Sequence, residues 1–146
     1  MGSGSTSSRW KPDHWSRLTP PARWVLESAQ AECWRFNQPI VESPHVLVAL
    51  LKLADRTITA RLRDVGIKDM VAARESLGGL IAADNALECT RRDISDSLRE
   101  TLLDTVSSSE GPITPVVLLE GILRRNDSLV AEFLSFCQQR QRQRLR

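Results

Sequence analysis

The sequence predicts a single all-α domain built from two related halves, and three observations support this. The segment Leu18–Leu62 is echoed by Ile94–Leu134, with anchor pairs at one common spacing: Leu47/Leu119, Leu51/Leu123, Asp55/Asp127 and Leu62/Leu134. Capping residues followed by apolar residues at helical spacing mark helix starts in both halves. No segment alternates polar and apolar residues for long enough to predict a strand. At 146 residues, the chain has room for one hydrophobic core.

The first half begins at Thr19, a predicted N-cap followed by two prolines that suit the first turn of a helix. Apolar residues then define one predicted buried stripe: Ala22, Val25, Leu26, Ala29, Cys33 and Phe36. Ser43, again followed by proline, is predicted to cap an apolar second helix, which we expect to be the most buried. Asp55 is predicted to cap a third helix that Gly66 ends in a left-handed conformation.

The second half repeats these signals. Ser95, Thr114 and Asp127 are its predicted helix caps, and a connecting helix is expected from Met70 to a stop at Gly78 and Gly79. The predicted division is a flexible leader, whose Gly/Ser composition is also typical of a cloning remnant, then a double-repeat domain and a basic tail: residues 1–17, 18–137 (repeat one 18–66, connector 67–92, repeat two 93–137) and 138–146.

Composition excludes several classes of protein. No apolar run approaches the roughly 18 residues that a membrane span needs, so we expect a soluble, cytoplasmic protein. The net charge is only +2, and four arginines lie in the tail, which argues against a basic nucleic-acid-binding face. The three cysteines are widely spaced and form no C-x-x-C pair, which predicts reduced thiols in a cytoplasmic protein and argues against a disulfide framework or a zinc site. We expect no metal and no cofactor.

Four segments resemble the Clp N-terminal domain of Clp-family AAA+ unfoldases. Residues 18–26 (LTPPARWVL) are similar to the opening "(F/L)TPRARRVL" of that family, and residues 43–51 (SPHVLVALL) to its "TPEHLLLALL" segment. Residues 114–119 (TPVVLL) and 126–131 (NDSLVA) are similar to the same segments in the second copy. The resemblance covers most of the chain, and its strength lies in an ordered series of matches that occurs twice.

The resemblance implies a compact bundle of about eight helices that binds client polypeptides or adaptor proteins and passes them to an ATP-driven ring. The phosphate-binding pattern G-x-x-x-x-G-K-[ST] occurs nowhere in the chain, so the ring must be supplied in cis or in trans. Both versions stay open: the front end of a larger unfoldase, or a stand-alone accessory subunit that docks on the Clp machine.

One binding function of the family is expected to be absent or to use other residues. In some bacterial members a Glu before the His of each "EH" pair receives the guanidinium of a phosphoarginine tag. Here Pro44 stands at the first such position and Val116 at the second, or Pro115 if the alignment slips by one. Neither proline nor valine offers a carboxylate, so we expect no phosphoarginine recognition at these positions.

Two surfaces are candidates for partner binding. Helical geometry places Trp24 and Trp34 away from the core stripe, near Arg35, which predicts an exposed aromatic patch for a peptide or partner helix. The alternative is that Trp10 and Trp15 fold back and cover this patch.

The second surface comes from the resemblance, which implies a partner-binding groove between the two leading helices. Its candidate residues are Arg23, Glu27, Arg99 and Leu103. The alternative is that these side chains are ordinary solvated surface residues.

Catalysis is not expected. The chain has two histidines, no paired-carboxylate motif and no nucleophile elbow, and His45 is predicted to be structural. Two other hypotheses stay open: a helical nucleic-acid-binding protein that uses the Arg tail and exposed Trp side chains, and a dimerisation unit that uses the Trp face. The sequence therefore favours a protein-binding module without catalysis of its own.

Overall fold

The computed structural model describes residues 12–35, 40–81 and 93–144, and these ranges form an all-α bundle, which confirms the predicted fold class. The described residues contain eight helices: α1 (Pro12–Arg17), α2 (Pro20–Arg35), α3 (Ser43–Leu53), α4 (Arg56–Asp64), α5 (Met70–Ile81), α6 (Asp96–Ser108), α7 (Pro115–Arg125) and α8 (Ser128–Arg144). Two short strands, β1 (Ile40–Val41) and β2 (Asp93–Ile94), pair in parallel.

Helix α3 lies at the centre of the core, as expected. All its residues from Ser43 to Leu51 are buried, and it contacts α2, α4, α5, α7 and α8. The predicted stripe on α2 is confirmed by the burial of Ala22, Val25, Ala29 and Cys33, with Leu26 partly buried. Phe36 lies outside the described residues. The apolar side chains of both halves thus form one core.

The two halves match element by element. Side chains cap equivalent helices at the predicted residues: Thr19 and Ser95 for α2 and α6, Thr114 for α7, and Asp55 and Asp127 for α4 and α8. Helices α3 and α7 both end in a left-handed residue, Ala54 (φ 61°) and Asn126 (φ 44°). Gly66 follows α4 at φ 105°, as predicted, although it has no such counterpart after α8.

The halves are joined crosswise by short backbone pairings. Val41 of the first half pairs with Ile94 of the second, and Leu18 of the first half bridges to Ile113 of the second. The capping residues that follow Leu18 and Ile94 donate their N–H groups to the carbonyls of Ile113 (3.1 Å) and Val41 (3.0 Å), respectively. Each half therefore completes the hydrogen bonding of the other.

The residues before the first repeat differ in part from the prediction. Residues 12–17, the end of the predicted flexible leader, form α1, and residues 1–11 lie outside the described part of the chain. The guanidinium of Arg17 donates hydrogen bonds to the carbonyls of Val106, Ser109 and Gly111. These carbonyls lie at and beyond the C-terminal end of α6, where helical partners run out, so Arg17 anchors α1 there.

Two helix boundaries also differ from the prediction, at the end of α5 and at the start of α3. Helix α5 continues through Gly78 and Gly79 to Ile81, because its packing against α3 and α8 outweighs the low helix propensity of glycine. Helix α3 begins one residue earlier than predicted, so Glu42 and not Ser43 is the N-cap. Helix α8 extends to Arg144, so the backbone of the basic tail is helical up to that residue.

Close packing of α6 and α7 depends on one glycine. A Cβ atom on Gly121 would collide with Oγ1 of Thr105, which is buried and donates a hydrogen bond to the carbonyl of Thr101. A residue larger than glycine at this position would force the two helices apart.

Candidate functional site

The outer face of α2 carries the predicted aromatic patch. Trp24 and Trp34 are 38% and 59% exposed, which confirms that both point away from the core, and Arg35 is exposed beside them. Trp15 of α1 is itself 42% exposed, and Trp10 lies outside the described residues. Both tryptophans of α2 are thus accessible, and that they form one binding patch stays a prediction.

The two arginines of the predicted groove each make a local polar contact. Arg23 donates a hydrogen bond to the carbonyl of Trp15 (2.9 Å), whereas Arg99 pairs with Asp96 (3.0 Å). Glu27 is exposed and Leu103 is partly buried. Helix α7 packs against both α2 and α6. The two arginines are therefore accessible, each held by a local contact.

Pro44 and Val116 occupy the positions at which the family resemblance would require Glu. Pro44 is buried at the start of α3, and Val116 is 38% exposed at the start of α7. Neither side chain offers a hydrogen-bond acceptor, so the expected absence of a phosphoarginine acceptor at these two residues stays a prediction for a binding measurement.

A groove between α4 and α7 was not predicted from the sequence. It has a volume of about 220 Å³ and is lined by Thr57, Ile58, Ala60, Arg61, Asp64, Val116, Leu119 and Glu120. Its floor is apolar, because Ile58 and Leu119 are buried core residues. Among these residues, only Val116 is also a predicted site residue, as the replacement for a phosphoarginine-accepting Glu.

An ion pair spans this groove. Nε and Nη2 of Arg61 donate to the two carboxylate oxygens of Glu120 at 2.9 and 3.4 Å, a forked arrangement that raises the pKa of Arg61. Both side chains are nearly half exposed, so the pair is accessible to a partner. No local sequence pattern could have indicated it, because the two residues are 59 positions apart.

A second, buried ion pair holds α5 against α2. Glu32 is fully buried, and its carboxylate accepts hydrogen bonds from Nε (3.0 Å) and Nη2 (2.8 Å) of Arg74, with Arg35 at 3.5 Å. A buried carboxylate needs such partners to offset the loss of its hydration. The geometry of this cluster indicates a structural role, because its hydrogen bonds link α2 to α5.

His45 is buried in the first turn of α3. Its Nδ1 accepts the backbone N–H of Glu42 at 2.8 Å, so the neutral ring carries its proton on Nε2. Burial lowers the pKa of His45 to about 4, against smaller opposing effects of that hydrogen bond and of the nearby Glu32. This environment matches the predicted structural role.

We expect the folded state to lose stability as the pH falls from about 6.5 towards about 4. In this window the unfolded chain binds a proton at His45 that the folded chain excludes, which costs up to about 3 kcal/mol. Urea unfolding across the window measures the slope. His45→Gln should flatten it between about pH 6.5 and 5, and an unchanged slope in this variant would contradict the assignment.

Two further findings limit the chemistry of the described residues. Within residues 12–35, 40–81 and 93–144, no group of three or more His, Cys, Asp or Glu side chains could hold a metal ion. In the same ranges, no helix combines the length and the hydropathy that crossing a bilayer requires.

No protein-family model matches the chain, and a comparison with curated proteins finds no match.

Proposed function

We propose that this domain is a protein-binding module that recruits substrates or adaptor proteins to a Clp ATP-dependent unfoldase and protease in the cytoplasm, without catalysis of its own. The proposal rests on the resemblance of four segments, repeated in order, to the Clp N-terminal domain. The observation that supports it best is the matched architecture of the two halves, with equivalent caps and crosswise pairing of Val41 with Ile94 and of Leu18 with Ile113.

The exposed surfaces suit this function. The outer face of α2 presents Trp24 and Trp34, a residue type that is enriched among binding hot spots. Arg23 and Arg99 add cationic groups in the first turns of the two leading helices. A module of this kind needs accessible side chains on a rigid core, and the domain has both.

Affinity capture from lysate of the native source, followed by mass spectrometry, tests the proposal. We expect enrichment of a Clp ATPase, its protease or an adaptor, and direct binding once that partner is purified. Two double variants locate the contact: Trp24→Ala with Trp34→Ala, and Arg23→Ala with Arg99→Ala. Loss of a hot spot of about 2 kcal/mol weakens binding by about 30-fold.

Two results would contradict the proposal. Capture that neither double variant weakens would remove both proposed surfaces. Binding of DNA or RNA that falls steeply with salt would instead favour the nucleic-acid hypothesis, because phosphate contacts release counterions. The length of the natural gene product distinguishes a domain within an unfoldase from a stand-alone accessory subunit.

A further inference from the structure

The matched halves place two helix contacts in equivalent positions. The anchor pair Leu47/Leu119 makes α3 equivalent to α7, and the pair Leu62/Leu134 makes α4 equivalent to α8. The contact between α3 and α8 is therefore the counterpart of the contact between α7 and α4, and both contacts are present. The groove between α4 and α7 therefore has an internal counterpart on the surface formed by α3 and α8.

That counterpart surface is covered. Helix α5 packs against both α3 and α8 and buries Ala72, Ala73, Ser76 and Leu77. Most residues of α3 and α8 that correspond to the groove lining are buried: Pro44, Leu47, Val48, Val130 and Phe133. The other three lie at the edge of this surface, where Leu129 is partly buried and Glu132 and Phe136 are exposed. Among the described helices, none lies across α7 and α4 in the same way, so the groove stays open.

The groove is partly apolar, like its counterpart, but it also carries charged side chains. Ile58, Leu119 and the exposed Val116 provide apolar contact area. At the positions that correspond to buried Phe133 and Val48, however, the groove has the half-exposed ion pair Arg61–Glu120. Such a surface is stable in water by itself and can also pair with the polar side chains of a partner.

We propose that the groove between α4 and α7 docks an amphipathic helix of a partner protein, in the position that α5 occupies on the other half. Its volume of about 220 Å³ is below the range typical of small-molecule pockets and suits one or two side chains of a helix laid along it. The docked helix presents small apolar residues to Val116 and polar groups to Arg61 and Glu120. This inference deepens the proposed function by adding a site for an adaptor-type partner, and rests on it for the partner's role.

A peptide with the sequence of α5 is the probe that tests this docking. Residues 68–81 retain Asp69, whose carboxylate accepts the N–H of Ala72 at the start of the helix. Titrated into the ¹⁵N-labelled protein, the peptide is expected to cause saturable shifts of the amide signals of residues 57–64 and 116–120, with a Kd of the order of 0.1–1 mM. Shifts confined to α3 and α8, or no saturable shifts, would overturn the proposal.

A matched pair of variants makes the test specific. Val116→Asp places a carboxylate at the edge of the groove and should weaken peptide binding by about tenfold or more. Val71→Asp makes the same change at a more exposed valine of α5, outside the groove, and should have no effect. Equal weakening by both variants would overturn the proposal, as would self-association that Val116→Asp alone abolishes, because the occupant would then be a second copy. Peptide binding without capture of Clp proteins would leave the docking site intact and refute only the proposed function.

Discussion

Phe133→Ala is expected to lower the free energy of unfolding by about 3–5 kcal/mol. Phe133 is fully buried on α8, in the core that α8 shares with α3 and α5. Truncation removes its buried ring and leaves a cavity that the surrounding helices can only partly fill. Urea unfolding followed by circular dichroism measures the loss.

Phe136→Ala is the matched control, because it makes the same change three residues further along the same helix. Phe136 is 40% exposed, so its truncation removes less buried area and should cost well under half as much. Equal effects of the two substitutions would mean that the assigned core face of α8 is wrong.

Arg74→Ala is expected to destabilise the fold by about 3–5 kcal/mol, because it leaves the carboxylate of Glu32 buried without its principal partner. Arg35, at 3.5 Å from that carboxylate and half exposed, offers only partial compensation. The same urea unfolding measurement tests this prediction.

Two comparisons define the cause of this loss. Arg99→Ala breaks the exposed pair with Asp96 and should cost less than about 1 kcal/mol. Replacing Glu32 and Arg74 together by leucine should restore most of the stability lost in Arg74→Ala, since no buried charge then lacks a partner. If the double leucine variant were as unstable as Arg74→Ala, packing of the arginine stem and not its charge would be responsible.

Local features of the fold could be predicted because their causes are local. The caps at Ser95, Asp55 and Asp127 follow from short side chains that accept N–H groups three residues later, and these contacts are present. The outward orientation of Trp24 and Trp34 follows from helical periodicity alone.

Features that depend on distant residues could not be predicted in this way. The pairs Glu32–Arg74 and Arg61–Glu120 join residues 42 and 59 positions apart, so no periodic pattern indicates them. The groove between α4 and α7 was missed for the same reason. Strands β1 and β2 have two residues each, too few for an alternating pattern to appear.

The start of α3 illustrates a conflict between two local signals. Ser43 followed by proline is a typical capping sequence, but the prediction that Ser43 is the N-cap is wrong. In the structure, Glu42 takes that position, since its own N–H is bound by His45 Nδ1. The hydrogen bond to the imidazole of His45 thus favours a start of α3 one residue earlier than predicted.

The crosswise backbone pairing makes each half of the domain depend on the other. The N–H of Ser95 donates to the carbonyl of Val41, and the N–H of Thr19 donates to the carbonyl of Ile113. In both bonds the acceptor belongs to the other half, so either half alone would lack the acceptor for its own N–H group. A second identical half, related by a twofold axis, would supply both. In the single chain, the two halves are covalently joined, so the exchange of backbone hydrogen bonds between them does not depend on protein concentration.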